Sequence, residues 1–254
     1  MKVVFLGVGE ACDERLPNTC LWIQTQVDQQ RRSILLDCGF TAPSLYWQQI
    51  SDQEDLDALW ISHLHGDHFF GVPALLLRLW EMKRNKPLVI LGHSGVEGVL
   101  RQIMELAYPG FISKLQYPLV FQEVEPGQSM RAVGLHWSTA QSLHGQKNLA
   151  VRIEDGQSSV FYSGDGLFGL ETVSLARGCS LAVHEAFRLD AITPGHGTVR
   201  QCIDFARDTD VGMLALVHVQ RDERRDRYAE ILRLLEENYD LHLILPEPGD
   251  ELEL

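Results

Sequence analysis

The stretch Ser62-His63-Leu64-His65-Gly66-Asp67-His68 decides how this chain is read. Three histidines and an aspartate fall within six consecutive positions, in a chain that has ten histidines among 254 residues. Imidazole nitrogen and carboxylate oxygen are the ligand types that hold zinc and similar divalent ions. The residues before the stretch, Leu56 to Ile61, read as a short apolar strand, and those after it, Phe69 to Trp80, as an apolar helix. The cluster therefore sits on a strand-to-helix turn, where Gly66 is expected to relax the backbone. Such a turn can aim four side chains at one point. The competing reading is a polar loop that happens to be rich in histidine. Distant partners elsewhere in the chain decide between the two.

Four further places qualify, each a polar group directly after an apolar strand, where a site on an α/β scaffold is expected. His144 lies in Ser142-Leu143-His144-Gly145, beyond a strand read over Met130 to Trp137. Asp165 stands between two glycines where the strand Ser159 to Tyr162 stops. His184-Glu185 closes the strand Leu181 to His184, and His218 closes Met213 to Val217. A lone histidine after a strand is usually structural; the joint pattern carries the reading. Asp37, at the end of the apolar run Ser33 to Asp37, is expected to support a ligand histidine by a hydrogen bond. His184 reads as a neighbour of the ligands or as structural, and His93, His136 and His242 as structural.

Strands occur in both halves, with helices clustered after each set. From Gly169 onward β and α segments alternate, ending in one long helix over Asp222 to Asn238 and a last strand Leu241 to Leu245. The helix carries Tyr228, Ile231, Leu232, Leu234 and Leu235 on one side, so it should cover a sheet. This pattern predicts two sheets packed together with helices outside, in a single α/β domain over residues 1–254. No apolar run approaches the roughly 20 residues of a membrane span. Met1 to Gly7 is too short for a secretory signal and reads as a first strand. The five cysteines (Cys12, Cys20, Cys38, Cys179 and Cys202) form no CxxC pair and suggest reduced thiols in a cytoplasm. A formal charge of −13 argues against an extended grip on a long polyanion.

In order along the chain, Phe5-Leu6-Gly7, Leu35-Leu36-Asp37-Cys38-Gly39, Ile61 to His68, His144, Ser163-Gly164-Asp165, His184-Glu185-Ala186-Phe187, His196-Gly197-Thr198 and His218 resemble the metallo-β-lactamase-fold hydrolases. Within them the chain resembles the tRNase Z-like, ElaC-type phosphodiesterase branch, to which the His-Glu-Ala and His-x-Thr pieces point. The resemblance implies a four-layer αβ/βα sandwich of two mixed sheets flanked by helices, with a two-metal site at one edge. It assigns His63, His65 and His144 to one ion, Asp67, His68 and His218 to the other, and Asp165 to a bridge. Zinc is the expected metal, with manganese or iron as alternatives. Two such ions can lower the pKa of a shared water towards neutrality and clamp phosphodiester oxygens. Asp67 is suited to hold, orient or deprotonate the attacking water. In the family the Glu185 and His196 pair is associated with protonating the leaving oxygen, and a histidine beside a carboxylate can carry a proton near pH 7.

One departure stands out. tRNase Z enzymes of this branch commonly carry a basic, Gly-rich arm between the equivalents of His144 and Asp165, and here only short strands and a turn fill that interval. The expected substrate is therefore a small phosphodiester, a cyclic nucleotide or a short RNA, with extended tRNA binding disfavoured. The alternatives are a lactone or thioester hydrolase of the same fold, an RNase Z-type endonuclease, and a metal-dependent binding or sensing protein without turnover. The aromatic stretch Tyr108 to Tyr117 could line a pocket or a homodimer face, and ordinary packing is an equal reading. Arg31-Arg32 and Arg221 to Arg227 read as solvated charge runs.

Overall fold

A computed structural model describes residues 1–254. The first half alternates as β1 Lys2–Gly7, β2 Cys20–Val27, β3 Gln30–Leu36, α1 Ala42–Gln49, β4 Ala58–Ile61, α2 Gly66–Phe69, α3 Val72–Glu81, β5 Leu88–His93, α4 Val96–Ala107 and β6 Leu119–Val124. The second continues as β7 Ser129–Ala132, β8 Leu135–Ser142, β9 Asn148–Glu154, β10 Ser159–Tyr162, α5 Leu170–Ala176, β11 Leu181–Glu185, α6 Val199–Thr209, β12 Leu214–Val217, α7 Arg221–Asp226, α8 Tyr228–Glu237, β13 Leu243–Ile244 and β14 Glu251–Glu253.

The strands form two seven-stranded sheets, ordered β14-β1-β2-β3-β4-β5-β6 and β13-β12-β11-β10-β9-β8-β7. Each is mixed. β3 to β6 run parallel in the first and β10 to β13 in the second, while the remaining pairs are antiparallel. The parallel strands β4 (ALWI), β10 (SVFY) and β12 (LALV) are buried along their whole length, as continuous apolar runs covered on both faces must be. The inner faces meet in a core that includes Phe5, Ile23, Trp60, Trp137, Val151 and Tyr162. Trp60 of the first sheet stacks on Trp137 of the second at 6.1 Å between ring centroids. Outside, α1, α3 and α4 bury their apolar sides with Leu35, Leu59 and Ile90 of the first sheet. The helices α6 and α8 do the same with Phe161, Ala182 and Leu216 of the second. These are the four layers expected, helix, sheet, sheet and helix.

Four local readings change. The segment expected as one strand over Met130 to Trp137 is a hairpin, because Val133 and Gly134 take φ of +48° and +85°. Two positive φ values in a two-residue loop match the twist of the flanking strands, but a β-branched valine there is a poor sequence signal for a turn. The expected helix over Phe69 to Trp80 begins earlier, at Gly66, breaks at Phe70-Gly71, and restarts with Pro73 in its first turn. The helix over Asp222 to Asn238 is broken at Arg227, whose guanidinium is tied to Asp190 and Glu230 at 2.9–3.1 Å. Finally, Glu251–Glu253, unread in the sequence, adds an antiparallel edge strand to β1.

Candidate metal centre

The functional residues gather where the two sheets present the carboxyl ends of their parallel strands, the usual ligand-binding edge of such sheets. β3 delivers Asp37, β4 delivers Ser62 to His68, β10 delivers Asp165, β11 delivers Glu185, and β12 delivers His218. His144 arrives two residues after β8. Chain reversal here demands special backbone: Asp37 and His218 sit at φ of +62° and +56°. A non-glycine residue in that region costs of order 1–3 kcal/mol, so the surroundings must hold it. The Asp37 N–H donates to Trp60 O and the His218 N–H to Val8 O, both at 2.8 Å.

Two glycines serve this turn by absence of a Cβ. A Cβ on Gly39 would stand 1.8 Å from the Asp67 carbonyl oxygen, so the chain after β3 lies directly against the ligand turn. Gly66 does not take the positive φ that its reading as a backbone relaxer implied. Its role is space: a Cβ there would meet the Phe70 ring at 2.8 Å.

All seven expected ligands converge. His63, His65, His144 and Asp165 present ligand atoms within 4.8 Å of one another, and so do Asp67, His68 and His218. His63 Nε2 lies 3.0 Å from His65 Nδ1, which lies 3.2 Å from His144 Nε2. Nitrogens bound at 2.0–2.1 Å to one tetrahedral ion are roughly 3.3 Å apart, so this triangle has the size of a coordination face. Asp165 turns one oxygen to each group: Oδ2 is 3.8 Å from His63 Nε2, while Oδ1 is 3.3 Å from His68 Nε2 and 3.5 Å from His218 Nε2. Asp67 Oδ2 lies 3.3 Å from His68 Nε2 and 3.2 Å from His218 Nε2. His68 Nε2 and Asp165 Oδ1 are buried without a hydrogen-bond partner. Orphaned donors and acceptors aimed at a common point fit a divalent ion, and the nitrogen and carboxylate set suits zinc.

Electrostatics divides the histidines. Burial, reinforced by the neighbouring histidines, pushes the His63 and His65 pKa down. Burial acts the same way on His68 and His218, but Asp165 overcomes it and raises both. Burial alone would raise the carboxylates, yet His218 and His68 hold Asp165 and Asp67 well below the usual range.

Residues around the ligands fix their orientation. The His144 Nδ1 faces Gly195 O at 2.9 Å, and His68 Nδ1 faces Asp37 Oδ2 at 2.7 Å, which turns each Nε2 inward. The Asp37 expectation therefore agrees with the geometry. Ser62 and Tyr162, both buried, also donate to Asp37, and Asn148 accepts the Asp165 N–H while donating to Ser163 O. None of these three was singled out in the sequence. Ser62 stood inside the quoted motif, and Tyr162 and Asn148 carried no signal that separates them from ordinary strand residues.

Glu185 is fully buried. Its Oε1 accepts the N–H groups of Gly166 and Gly197, and its Oε2 that of Phe187. His196 Nδ1 lies 3.3 Å from Oε1, and the Phe187 ring stacks on the imidazole at 4.6 Å. His196 also lies within ligand distance of Asp165 and His218. His65, His144 and His196 remain partly exposed and form the mouth of the site. His184 stays outside it, packed among Phe161, Phe168 and Phe205. His93 is bonded to Ser94 O, and His136 faces Glu154 on the surface. Four of the five free cysteines are buried and Cys12 is exposed.

Two mixed sheets with helices outside and this histidine–aspartate edge define a metallo-β-lactamase fold. The metallo-β-lactamase fold protein YhfI of Bacillus subtilis superimposes with a TM-score of 0.81 at 21% identity, covering 100% of this chain and 98% of its own. The short form of human tRNase Z superimposes with a TM-score of 0.80, also at 21% identity, over 100% of this chain and 99% of its own. The chain belongs to the family described as anti-Pycsar protein Apyc1, whose profile it matches over residues 1–237. Ribonuclease BN of Citrobacter koseri is 28% identical over 277 aligned positions, covering 86% of this chain and 89% of the relative. No helix is long and apolar enough to cross a membrane.

Proposed function

We propose that this protein is a metal-dependent hydrolase, a two-ion phosphodiesterase that cleaves a small phosphodiester such as a cyclic nucleotide or a short RNA. The observation that carries this reading is the Glu185–His196 pair set beside seven converging ligands. His63, His65 and His144 would hold one divalent ion and Asp67, His68 and His218 the other, with Asp165 between them; zinc suits the donors. Such ions supply Lewis-acid stabilisation of a phosphoryl oxygen and lower the pKa of water.

The chain's own groups do the rest. Asp67, whose Oδ2 lies 3.2–3.3 Å from His218 Nε2 and His68 Nε2, is suited to hold and orient the attacking water and to take the proton it sheds. Three backbone N–H groups fix the Glu185 carboxylate, whose Oε1 stands 3.3 Å from His196 Nδ1, while the Phe187 ring stacks on the imidazole and holds its plane. Nε2 is then free to pass a proton to the departing alkoxide as the water oxygen bonds to phosphorus. Relatives named ribonuclease BN and tRNase Z favour phosphate-ester chemistry over an acyl bond. The interval from His144 to Asp165 is taken up by β9, a tight turn and β10 within the second sheet, which with the charge of −13 favours a small substrate over tRNA.

The test is His196→Ala. Loss of general acid catalysis lowers turnover by about 10²–10⁴. Hydrolysis of bis(p-nitrophenyl) phosphate should fall by that factor with zinc content unchanged. Full retained turnover would overturn the reading, and loss of an ion would make His196 a ligand instead of a proton donor.

A further inference from the structure

Asp37 stands behind both candidate ligand groups, bonded to His68 directly and facing His63 through the Ser62 hydroxyl. Its carboxylate is fully buried and accepts four hydrogen bonds. Oδ1 takes the Ser62 N–H at 2.7 Å. Oδ2 takes the Ser62 hydroxyl, the His68 Nδ1–H and the Tyr162 hydroxyl, each at 2.7 Å. The Ser62 hydroxyl has spent its one proton on Asp37, so towards His63 Nδ1, 3.0 Å away, it can only accept. His63 must therefore carry its proton on Nδ1, as His68 does. One carboxylate thus fixes the tautomer of a ligand histidine in each ligand group, His68 directly and His63 through Ser62. In both, Nε2 is the nitrogen turned towards the centre and left for an ion.

Tyr162 adds a constraint from the opposite sheet. Its hydroxyl, on β10, reaches across the core to Asp37 at the end of β3. Asp165, three residues beyond Tyr162, leaves the same strand. The support of both ions and the carboxylate between them are thereby tied into one network.

We propose that Asp37 couples the two ion positions, with Ser62 and Tyr162 as positioning residues, so that filling one position strengthens binding at the other. This rests on the metal-centre reading above, though not on the identity of the substrate. An ion that fixes the His63 ring orders Ser62, hence Asp37, hence His68, before the second ion arrives. Coupling of this kind is reciprocal, and partners that orient ligands change metal affinity by about 10–100-fold.

The experiment measures stepwise zinc constants of the full-length protein by competition with a chromogenic chelator. His144→Ala removes one ligand of the first group and isolates the Asp67, His68 and His218 position. In that background Ser62→Ala, which touches none of those three residues, should weaken the remaining ion about tenfold. An unchanged constant would overturn the coupling. Tyr162→Phe removes a single oxygen and contacts no ligand; in the otherwise unaltered protein it should weaken both constants by a similar factor. If Ser62→Ala fails to fold without metal, Tyr162→Phe decides alone: two shifted constants support the proposal, and one or none overturns it. Absence of any zinc binding overturns the proposal together with the metal centre. Coupled zinc binding in a protein inert towards phosphodiesters leaves it standing and removes only the phosphodiesterase reading.

Discussion

Gly39→Ala probes how tightly the ligand turn is held by the chain in front of it. The added Cβ would stand 1.8 Å from the Asp67 carbonyl oxygen, where real Cβ contacts begin near 3.0 Å. The two backbones must therefore separate by about 1.2 Å, since tight packing leaves no slack to absorb the overlap. Neither is free to do so. Cys38 N–H donates to His68 O at 2.8 Å and Gly71 N–H to Cys38 O at 2.9 Å, tying the segment to the chain just after Asp67. The displacement falls on Asp67 and His68, two of the three candidate ligands in one group. Overpacking of this kind destabilises by about 1–3 kcal/mol, and each kcal/mol lowers Tm by roughly 2–4 °C in a chain of this size. A misplacement of about 1 Å lowers turnover by roughly 10². Gly98→Ala is the control: nothing lies within 4 Å of its Cβ, and α4 should gain about 0.5–1 kcal/mol. The assay is zinc content by elemental measurement, bis(p-nitrophenyl) phosphate hydrolysis and thermal unfolding. A Gly39→Ala protein with full zinc, turnover within twofold and an unchanged Tm would refute the close coupling of these two segments.

Three other outcomes follow from the geometry. Arg84 is fully buried and gives its guanidinium protons to the carbonyls of Gln53, Leu56, Lys86 and Pro87. Arg84→Met strands those acceptors and should remove about 3 kcal/mol or more, read as a lower urea midpoint with the same m-value. His68 and His218 have raised pKa values in the metal-free protein because Asp165 outweighs burial, so zinc uptake at pH 7 should release protons. Calorimetry in buffers of different ionisation enthalpy measures the release, and proton-neutral binding would contradict the charge assignment. The same two groups stabilise the metal-free fold below the ordinary histidine value of about 6.5, and that contribution fades as pH rises through their raised values. The gap in Tm between zinc-loaded and metal-free protein should therefore widen from pH 6 to pH 9; a gap that narrows would reverse the sign.

The residues of the candidate ligand set were legible in the sequence because ligation needs particular atoms, and few residue types carry them. Six consecutive positions holding His63, His65, Asp67 and His68 cannot be accounted for by packing. His144, Asp165 and His218 were legible because each follows an apolar strand, and strand ends are where a sheet delivers polar groups. The layered fold followed from the same alternation of buried strands and one-sided helices. The interior of the chain hid the remainder. Val133 turns the chain where its side chain argues for a strand, and Arg227 breaks a helix through ion pairs with residues as far away as Asp190. Ser62 stood inside the motif without a role of its own, and Tyr162 read locally as a strand residue. Only the packing of one sheet on the other brings the Tyr162 hydroxyl to Asp37 and turns Asp165 between two groups of ligands. Which atoms could bind an ion was a matter of composition and order along the chain. Which of them meet, and what holds their rings in register, depends on contacts between residues more than a hundred positions apart, and only tertiary structure supplies those.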